Sequence, residues 1–244
     1  MKICINVLIE KDAPTENFLE FFETLKKTSG NFSVCIVNNS SNRFLGIADD
    51  TPFDNVHFIQ NNVDVGFVTA TNQGLYNSSS KFDYSFCVNS KYALVVEKDW
   101  LTKAMGSLGA GGHYGGHIFP VKITNSEKMQ KILYSICDSN DLSWLSKWAN
   151  RYMVLPCIDN NIFVVKNSSL ESIRLPNSKY CDASSYGISL SLSFMKVGFS
   201  PTSLESIYSS QTDTHRYDIF SVIKNGAGIV YPVVIDSVRN RLKS

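Results

Sequence analysis

The sequence predicts an α/β fold built on a mainly parallel sheet with helices on its faces. Three observations carry that expectation. Short runs of β-branched and apolar residues recur through the first hundred positions, segments with helical spacing lie between them, and the runs stop in clusters of Asn and Ser.

The first run, 3–9, is apolar at almost every position, as in a strand buried on both faces. Lys11-Asp12-Ala13-Pro14-Thr15 breaks it. Thr15 is placed to cap a helix in which Phe18, Leu19, Phe22 and Leu25 recur at three- and four-residue spacing, and Gly30-Asn31 ends that helix. Residues 32–37 read as a second strand, running into Asn38-Asn39-Ser40-Ser41. A short third strand follows at 56–59, a helix at 70–76, and a fourth strand at 84–88 that ends at Asn89-Ser90-Lys91. Strands alternating with helices imply right-handed crossovers. Ligands of such sheets lie beyond the carboxyl ends of the strands, so the polar clusters after Val37 and Val88 mark the expected site.

Beyond residue 101 the pattern loosens. Residues 108–116 are glycine-rich and read as a loop carrying His113, with His117 next to it. This loop lacks the Lys-Ser/Thr ending of a P-loop. A strand is expected at 118–123, one or two helices with an irregular break over 128–148, and a strand at 158–166. Residues 188–197 fit either a helix or an alternating strand, and Gly198 suits a helix stop. A polar loop is expected at 208–214 and a short helix at 235–242. No repeat or low-complexity linker divides the chain, which is expected to be one domain, 1–244.

Composition narrows the function. Hydrophobic residues make up 43% of the 244, enough for a packed core and too many for a disordered chain. The net charge is +1 with no block of Lys or Arg, so the electrostatic signature of a nucleic-acid binder is missing. No run approaches the ~18 apolar residues of a membrane span. Met1-Lys2 leads straight into a strand pattern, without the apolar core of a signal peptide. The six cysteines form no C-x-x-C pair and do not cluster with the four histidines at ligand spacing. They are expected to be reduced, buried thiols in a cytoplasmic protein, with no zinc site.

Three segments carry more specific information: Cys35-Ile36-Val37-Asn38-Asn39-Ser40-Ser41; Asn61-Asn62 followed by Gly66-Phe67-Val68-Thr69-Ala70-Thr71-Asn72-Gln73-Gly74; and Tyr84 to Lys91 followed by Val95-Val96-Glu97-Lys98-Asp99-Trp100-Leu101. In this order they resemble the GT-A glycosyltransferases of family 2, the rhamnosyl- and glucosyltransferase-like inverting enzymes. The family patterns are V-D-N-G-S, N-x-G-F-x-x-A-x-N-x-G and "lfLNnDt–vv–pdwL". The resemblance implies a GT-A fold whose first half, 1–101, binds the nucleotide-sugar and whose second half, 102–244, faces the acceptor.

It also implies roles. Asn38 stands where the family has the Asp that holds the nucleotide base, and an amide still offers a donor and an acceptor to a uracil-like edge; Asn39 joins it. Gly66 permits a tight turn and close backbone approach, and with Asn72 lines the donor site, where the following helix directs N–H groups at the donor. Two extra residues before Gly66 depart from the family spacing. Asn89 and Lys91 face the diphosphate. Lys91 occupies the place of the metal-binding aspartate, which puts the usual Mg²⁺ or Mn²⁺ in doubt; a protonated lysine does not ligate a metal but offers its own positive charge. Each assignment has a plainer alternative: an Asn-rich turn, small residues at Ala70 and Gly74 that let a helix pack on the sheet, and a surface lysine.

In the second half, Cys157 to Lys166 and then Ser169-Leu170-Glu171-Ser172-Ile173 resemble the family's acceptor-side strand and short helix. The family's E-D-x-D string, which carries the catalytic base, falls on Tyr186-Gly187-Ile188-Ser189, so no carboxylate stands in the aligned position. Asp182, four residues upstream of Tyr186, is the nearest replacement for the base. His215 sits where some relatives have a histidine reaching the metal or diphosphate, and the loop 109–116 with His113 takes the role of an acceptor-side lid. As an unaligned aspartate and lone loop histidines, these three have a surface role as the alternative.

The expected function is transfer of a sugar from a nucleotide-sugar, a UDP-sugar by the base chemistry, to a glycan or other hydroxyl acceptor with inversion and without the usual metal. Such chemistry belongs to polysaccharide biosynthesis, in the cytoplasm or peripherally at a membrane. The alternative is a catalytically degenerate glycosyltransferase fold that binds or scaffolds, as a homo-oligomer or beside a partner enzyme. A third reading, sugar transfer to a modified nucleic-acid base, is disfavoured by the balanced charge.

Overall fold

A computed structural model of the protein describes residues 1–40, 56–91, 96, 98–124, 126–136, 144–145 and 154–204. The expected loop at 208–214, the helix at 235–242 and His215 lie outside them.

Seven strands form one sheet: β1 (Ile3–Glu10), β2 (Phe32–Asn39), β3 (Val56–Gln60), β4 (Tyr84–Asn89), β5 (Tyr114–Lys122), β6 (Val154–Lys166) and β7 (Thr202–Ser203). Their order across the sheet is β3-β2-β1-β4-β6-β5-β7. β1 to β4 run parallel, β6 runs antiparallel to β4 and to β5, and β7 runs parallel to β5. The helices are α1 (Thr15–Lys27), α2 (Phe67–Ser79), α3 (Trp100–Leu108), α4 (Glu127–Ile136), the one-turn α5 (Asn167–Leu170) and α6 (Tyr186–Lys196), the last preceded by a 3-10 turn, Ala183–Ser185.

The expected α/β architecture is present, and its apolar runs form the core. On one face, Phe18, Phe21, Phe22 and Leu25 of α1 join Trp100, Leu101 and Ala104 of α3 against Ile5, Val7, Ile36 and Phe86. The Trp100 ring sits edge-on to Phe86 and donates its indole N–H to Thr28 Oγ1 at 2.9 Å, so a large apolar body is buried with its one polar atom satisfied. On the other face, α2 and α6 pack on Cys4, Leu8, Cys35, Val37, Cys87 and Phe163. A smaller cluster joins α4 to α6 through Ile132, Leu133, Leu192 and Met195. Cys4, Cys35, Cys87, Cys157 and Cys181 are free and buried; desolvation pushes Cys35 up to about 11 and Cys157 to about 12, which keeps these thiols protonated.

Several boundaries differ from the sequence expectation. α1 begins at Thr15 itself, and Pro14 takes the cap position expected of Thr15. α2 starts three residues before the expected 70 and β6 four before the expected 158. The glycine-rich 108–116 stretch ends as strand: a Cβ on Gly115 would fall 2.7 Å from Thr202 O, and one on Gly116 3.0 Å from Ile158 Cβ. These glycines mark close strand packing, not a loop. Residues 188–197 are helical; α6 is buried from Tyr186 to Met195 and so shows no amphipathic period. Its serines are internally bonded in part, Ser191 Oγ donating to Gly187 O at 2.8 Å and accepting from Ile158 N at 2.9 Å.

Candidate functional site

The carboxyl ends of the four parallel strands meet in a polar crown. Asn38 and Asn39 close β2, Gln60 closes β3 and runs into Asn61, Glu10 closes β1, and Asn89 closes β4 ahead of Ser90 and Lys91. Most of the predicted site residues are described on or beside this edge: Asn38, Asn39, Gly66, Asn72, Asn89 and Lys91.

Asn38 is fully buried, donates from Nδ2 to Gln60 Oε1 at 2.8 Å, and accepts at Oδ1 from Ser40 N at 3.0 Å and Ser40 Oγ at 2.7 Å. Asn39 donates to Asp64 Oδ1 at 2.8 Å and accepts from Val65 N at 3.0 Å. Asp64 also accepts from Gly66 N at 2.8 Å. The residues that depart from the family spacing therefore supply a carboxylate that ties the end of β2 to the start of α2. Asn61 and Gln73 exchange hydrogen bonds at 2.8 and 3.1 Å and lock the same loop to the second turn of α2.

Within the Gly66–Gly74 string the residues divide by role. Gly66 caps α2 with φ of +78°, a left-handed conformation that a side chain would strain, and nothing lies within 4 Å of where its Cβ would stand. Ala70 is fully buried, and a Cβ on Gly74 would sit 3.2 Å from Asn6 Cβ and Val37 Cγ2, so these two let α2 lie close on β1 and β2. Asn72 is bonded to the second half of the chain. Its Nδ2 donates to Pro176 O at 2.8 Å and its Oδ1 accepts from Tyr186 OH at 2.9 Å, clamping the 171–178 segment and the first turn of α6 onto α2.

Asn89 Oδ1 accepts from Lys91 N at 3.0 Å, and Lys91 O accepts from Asn17 Nδ2 at 3.0 Å, so the turn is held by α1 while the Lys91 side chain is exposed. Glu10, which sequence reasoning did not select, lies between Asn89, Lys91, Asp12 and Asp64. Burial raises its carboxyl above the ordinary range, partly offset by the hydrogen bond to Asn89 and by Lys91. Its only sequence signal was an acidic residue closing an apolar strand.

The remaining candidates lie elsewhere. Asp182 caps the 3-10 turn: its carboxylate accepts from Ser185 N at 3.0 Å, Ser185 Oγ at 2.7 Å and Ser184 Oγ at 2.8 Å, and Lys128 Nζ lies 3.3 Å from Oδ2. Burial works against the charge, but Ser185, Ser184 and Lys128 outweigh it and hold this carboxyl below the ordinary range. His113 precedes β5 at the level of Lys166 and Tyr84, the amino end of β4. The length of β4, about 17 Å at ~3.3 Å per residue, separates it from Asn89. It stacks on Phe199 and shares a 2.8 Å hydrogen bond with Ser169 Oγ, and desolvation with Lys166 lowers its pKa. It closes the turn 109–113 that leads into β5 at the opposite end of the sheet from Asn89.

A divalent metal was put in doubt by Lys91. Among the described residues, no group of three or more His, Cys, Asp or Glu side chains is placed to hold one. Asn89, Lys91 and the Glu10 carboxyl stand at the end of β4, and one oxygen of Asp64 is taken by Asn39 and Gly66.

An open sheet in the order β3-β2-β1-β4-β6-β5-β7, with β6 reversed beside β4 and polar ends on β1 to β4, defines the class: the GT-A, nucleotide-diphospho-sugar transferase-like fold. Solved glycosyltransferases share it. A mannosyltransferase from Pyrobaculum calidifontis, in complex with GDP-Man and Mn²⁺, is similar with a TM-score of 0.55 at 12% identity, over 82% of this chain and 54% of that one. Residues 1–349 of TarS from S. aureus, in complex with UDP, are similar with a TM-score of 0.53 at 13% identity, over 85% of this chain and 59% of that one. This chain spans little more than half the length of either protein, and the likeness is one of fold. No protein-family model and no curated protein matches the sequence.

Proposed function

We propose that the protein is an inverting glycosyltransferase that takes a nucleotide-sugar, preferably a UDP-sugar, and passes the sugar to a glycan or other hydroxyl acceptor without a resident divalent metal. The observation that carries the reading is Lys91, an exposed ammonium directly beyond the carboxyl end of β4 and beside Glu10, at the ligand edge of a GT-A sheet. An ammonium there neutralises the charge that grows on the leaving diphosphate as the glycosidic bond breaks. Asn38 and Asn39 close β2 on the side assigned to the base, Gly66 leaves open space for the donor backbone, and Asn89 shapes the turn that carries Lys91. Asn72 acts through the α6 clamp. In this reading the enzyme serves polysaccharide biosynthesis from the cytoplasm, at a membrane surface or beside a partner enzyme. Among the described residues no helix is long and apolar enough to cross a membrane.

The test is a thermal-shift and calorimetric screen against nucleotides and nucleotide-sugars, with Mn²⁺ and with EDTA. Binding and turnover are expected for one donor class and unchanged by EDTA. Lys91→Ala is expected to weaken both about 10- to 100-fold, the loss of one charge-assisted contact worth about 1.5–3 kcal/mol. Abolition by EDTA overturns the metal-free mechanism.

A second reading, a binding protein that has lost the chemistry, is favoured by one observation. The amides of Asn38 and Asn39 are bonded within the protein, and Asp182 is engaged in a cap and an ion pair. Weak or absent binding of every nucleotide-sugar, with no turnover, supports it.

A further inference from the structure

We propose that Asp159 of β6, set against His117 of β5, is the group that takes the proton from the acceptor hydroxyl. The inference rests on the glycosyl-transfer reading and assigns its missing base.

Strand register puts Asp159 at the cleft. β6 leaves β4 at the pair Val88↔Ile162, and its pairing with β5 is interrupted between Phe163 and Ile158, so residues 159–161 have no strand partner on either side. Asp159, Asn160 and Asn161 therefore overhang the carboxyl end of β4, where Asn89 and Lys91 stand. Asn160, next to Asp159, lines a small cavity beneath α2 together with Asn89, Asn6 and Leu8. The pairing with β5 passes from Gly116↔Phe163 to Ile118↔Ile158, so His117 alone stands opposite residues 159–162. Such bulges re-aim side chains beside active sites. The bulge is held at both ends: Asp159 Oδ1 accepts from Asn161 N at 3.1 Å, and Asn160 Nδ2 donates to Ala183 O.

The first turn of α6 presses on the same place. A Cβ on Gly187 would fall 2.2 Å from Ile158 O and 2.9 Å from the carbonyl carbon of Asp159. No side chain fits at 187, and the Tyr186 hydroxyl is bound to Asn72. The carboxylate that the helix start lacks is supplied by the strand it touches. Asp182, the nearer candidate in sequence, is spent on Ser184, Ser185 and Lys128 and is held in its weakly basic form.

The proton and the electron pairs then balance. Asp159 accepts the hydroxyl proton while the acceptor oxygen bonds to the anomeric carbon; the bond from that carbon to the diphosphate oxygen breaks, and its electron pair leaves with the nucleoside diphosphate, facing Lys91. Burial pushes the Asp159 carboxyl up to about 6, with His117 pulling the other way, so it is deprotonated at neutral pH yet more basic than an exposed aspartate. His117 acts on it from β5, and the backbone N–H groups of Asn161 and Ile162 act on it from its own strand.

The full chain and its Asp159→Asn, His117→Gln and Asp182→Asn variants are compared for donor binding by calorimetry and for turnover from pH 5 to 9. Asp159→Asn is expected to bind the donor within about twofold of the parent and to lose at least about 100-fold in turnover. In the parent, kcat/KM falls as pH drops through about 6; His117→Gln, by removing the neighbour that draws the Asp159 pKa down, moves that fall to higher pH. Turnover that survives in Asp159→Asn, turnover lost in Asp182→Asn instead, or an acidic limb that stays in place in His117→Gln each overturns the assignment while leaving the glycosyl-transfer reading intact. A parent protein that binds donors and turns none over overturns both.

Discussion

Single residues at the strand ends show how position and partners divide the work. Asn38, Asn39 and Asn89 were selected from the sequence because they close strands, and they do; what the sequence does not carry is that each is bonded to a side chain or turn up to 26 positions away. Asp159 is the opposite case. It sits inside an Asn-rich run with no motif of its own, and only the bulge and the pressure of Gly187 give it a distinct environment. That environment has a thermodynamic signature. Its folded pKa of about 6 exceeds the ordinary 3.8, so the proton binds the folded state more tightly than the unfolded one. The cost of holding the carboxylate is absent below the ordinary value, grows as pH rises from there to about 6, and is constant above. Asp159→Asn keeps an oxygen for Asn161 N but carries no charge. We expect it to be more stable than the parent above pH 6, by up to about 3 kcal/mol, because each pH unit between the two values is worth about 1.36 kcal/mol, and equal to it near pH 4. Urea melts at pH 4 and pH 8 check this. A variant destabilised at both shows that the carboxylate is a structural bond, not a strained base.

Elements are where the sequence reading succeeded most and where its limits are physical. β1, β2 and β4 were legible because buried parallel strands are continuously apolar, and α1 because one of its faces is apolar. α6 was ambiguous because burial on all sides removes the period, and β5 was shortened because its glycines mimic a loop. The Gly66–Gly74 string was recognised whole, yet its parts separate into a turn, a packing surface and a clamp, and the clamp joins Asn72 to partners 104 and 114 residues away. The link from β2 to α2 runs through Asp64, and its removal is a test of the element. Asp64→Ala strips the acceptor from both Asn39 Nδ2 and Gly66 N. With one of those donors buried, the expected loss is about 1–3 kcal/mol of stability, accompanied by weaker nucleotide binding because the Asn39 amide is no longer fixed. Asp64→Asn, which retains an acceptor oxygen, is expected to recover most of it. Equal binding in all three proteins would separate this loop from the donor site.

For the whole molecule, the parallel half was legible from alternation, but the order of the strands was not. The reversal of β6 beside β4 depends on the pairing Val88↔Ile162, across 74 positions, and no local pattern encodes it. That reversal lays the second half of the chain beside β4, up to the strand end that carries Asn89 and Lys91. In the proposed mechanism an exposed ammonium takes the place of a coordinated dication, and the two respond differently to solvent. An exposed charge on a diphosphate is screened within about 8 Å at 0.15 M ionic strength, whereas a coordinated metal is screened much less. Donor affinity is therefore expected to fall steadily as NaCl rises from 0.05 to about 0.5 M, and the slope to flatten in Lys91→Ala, with Lys91→Arg retaining it. A net charge of +1 leaves no general field to produce the same trend. Isothermal calorimetry with UDP across that range separates the cases. A salt-independent affinity, or one restored at high salt by Mn²⁺, removes Lys91 from the diphosphate and returns the site to a metal.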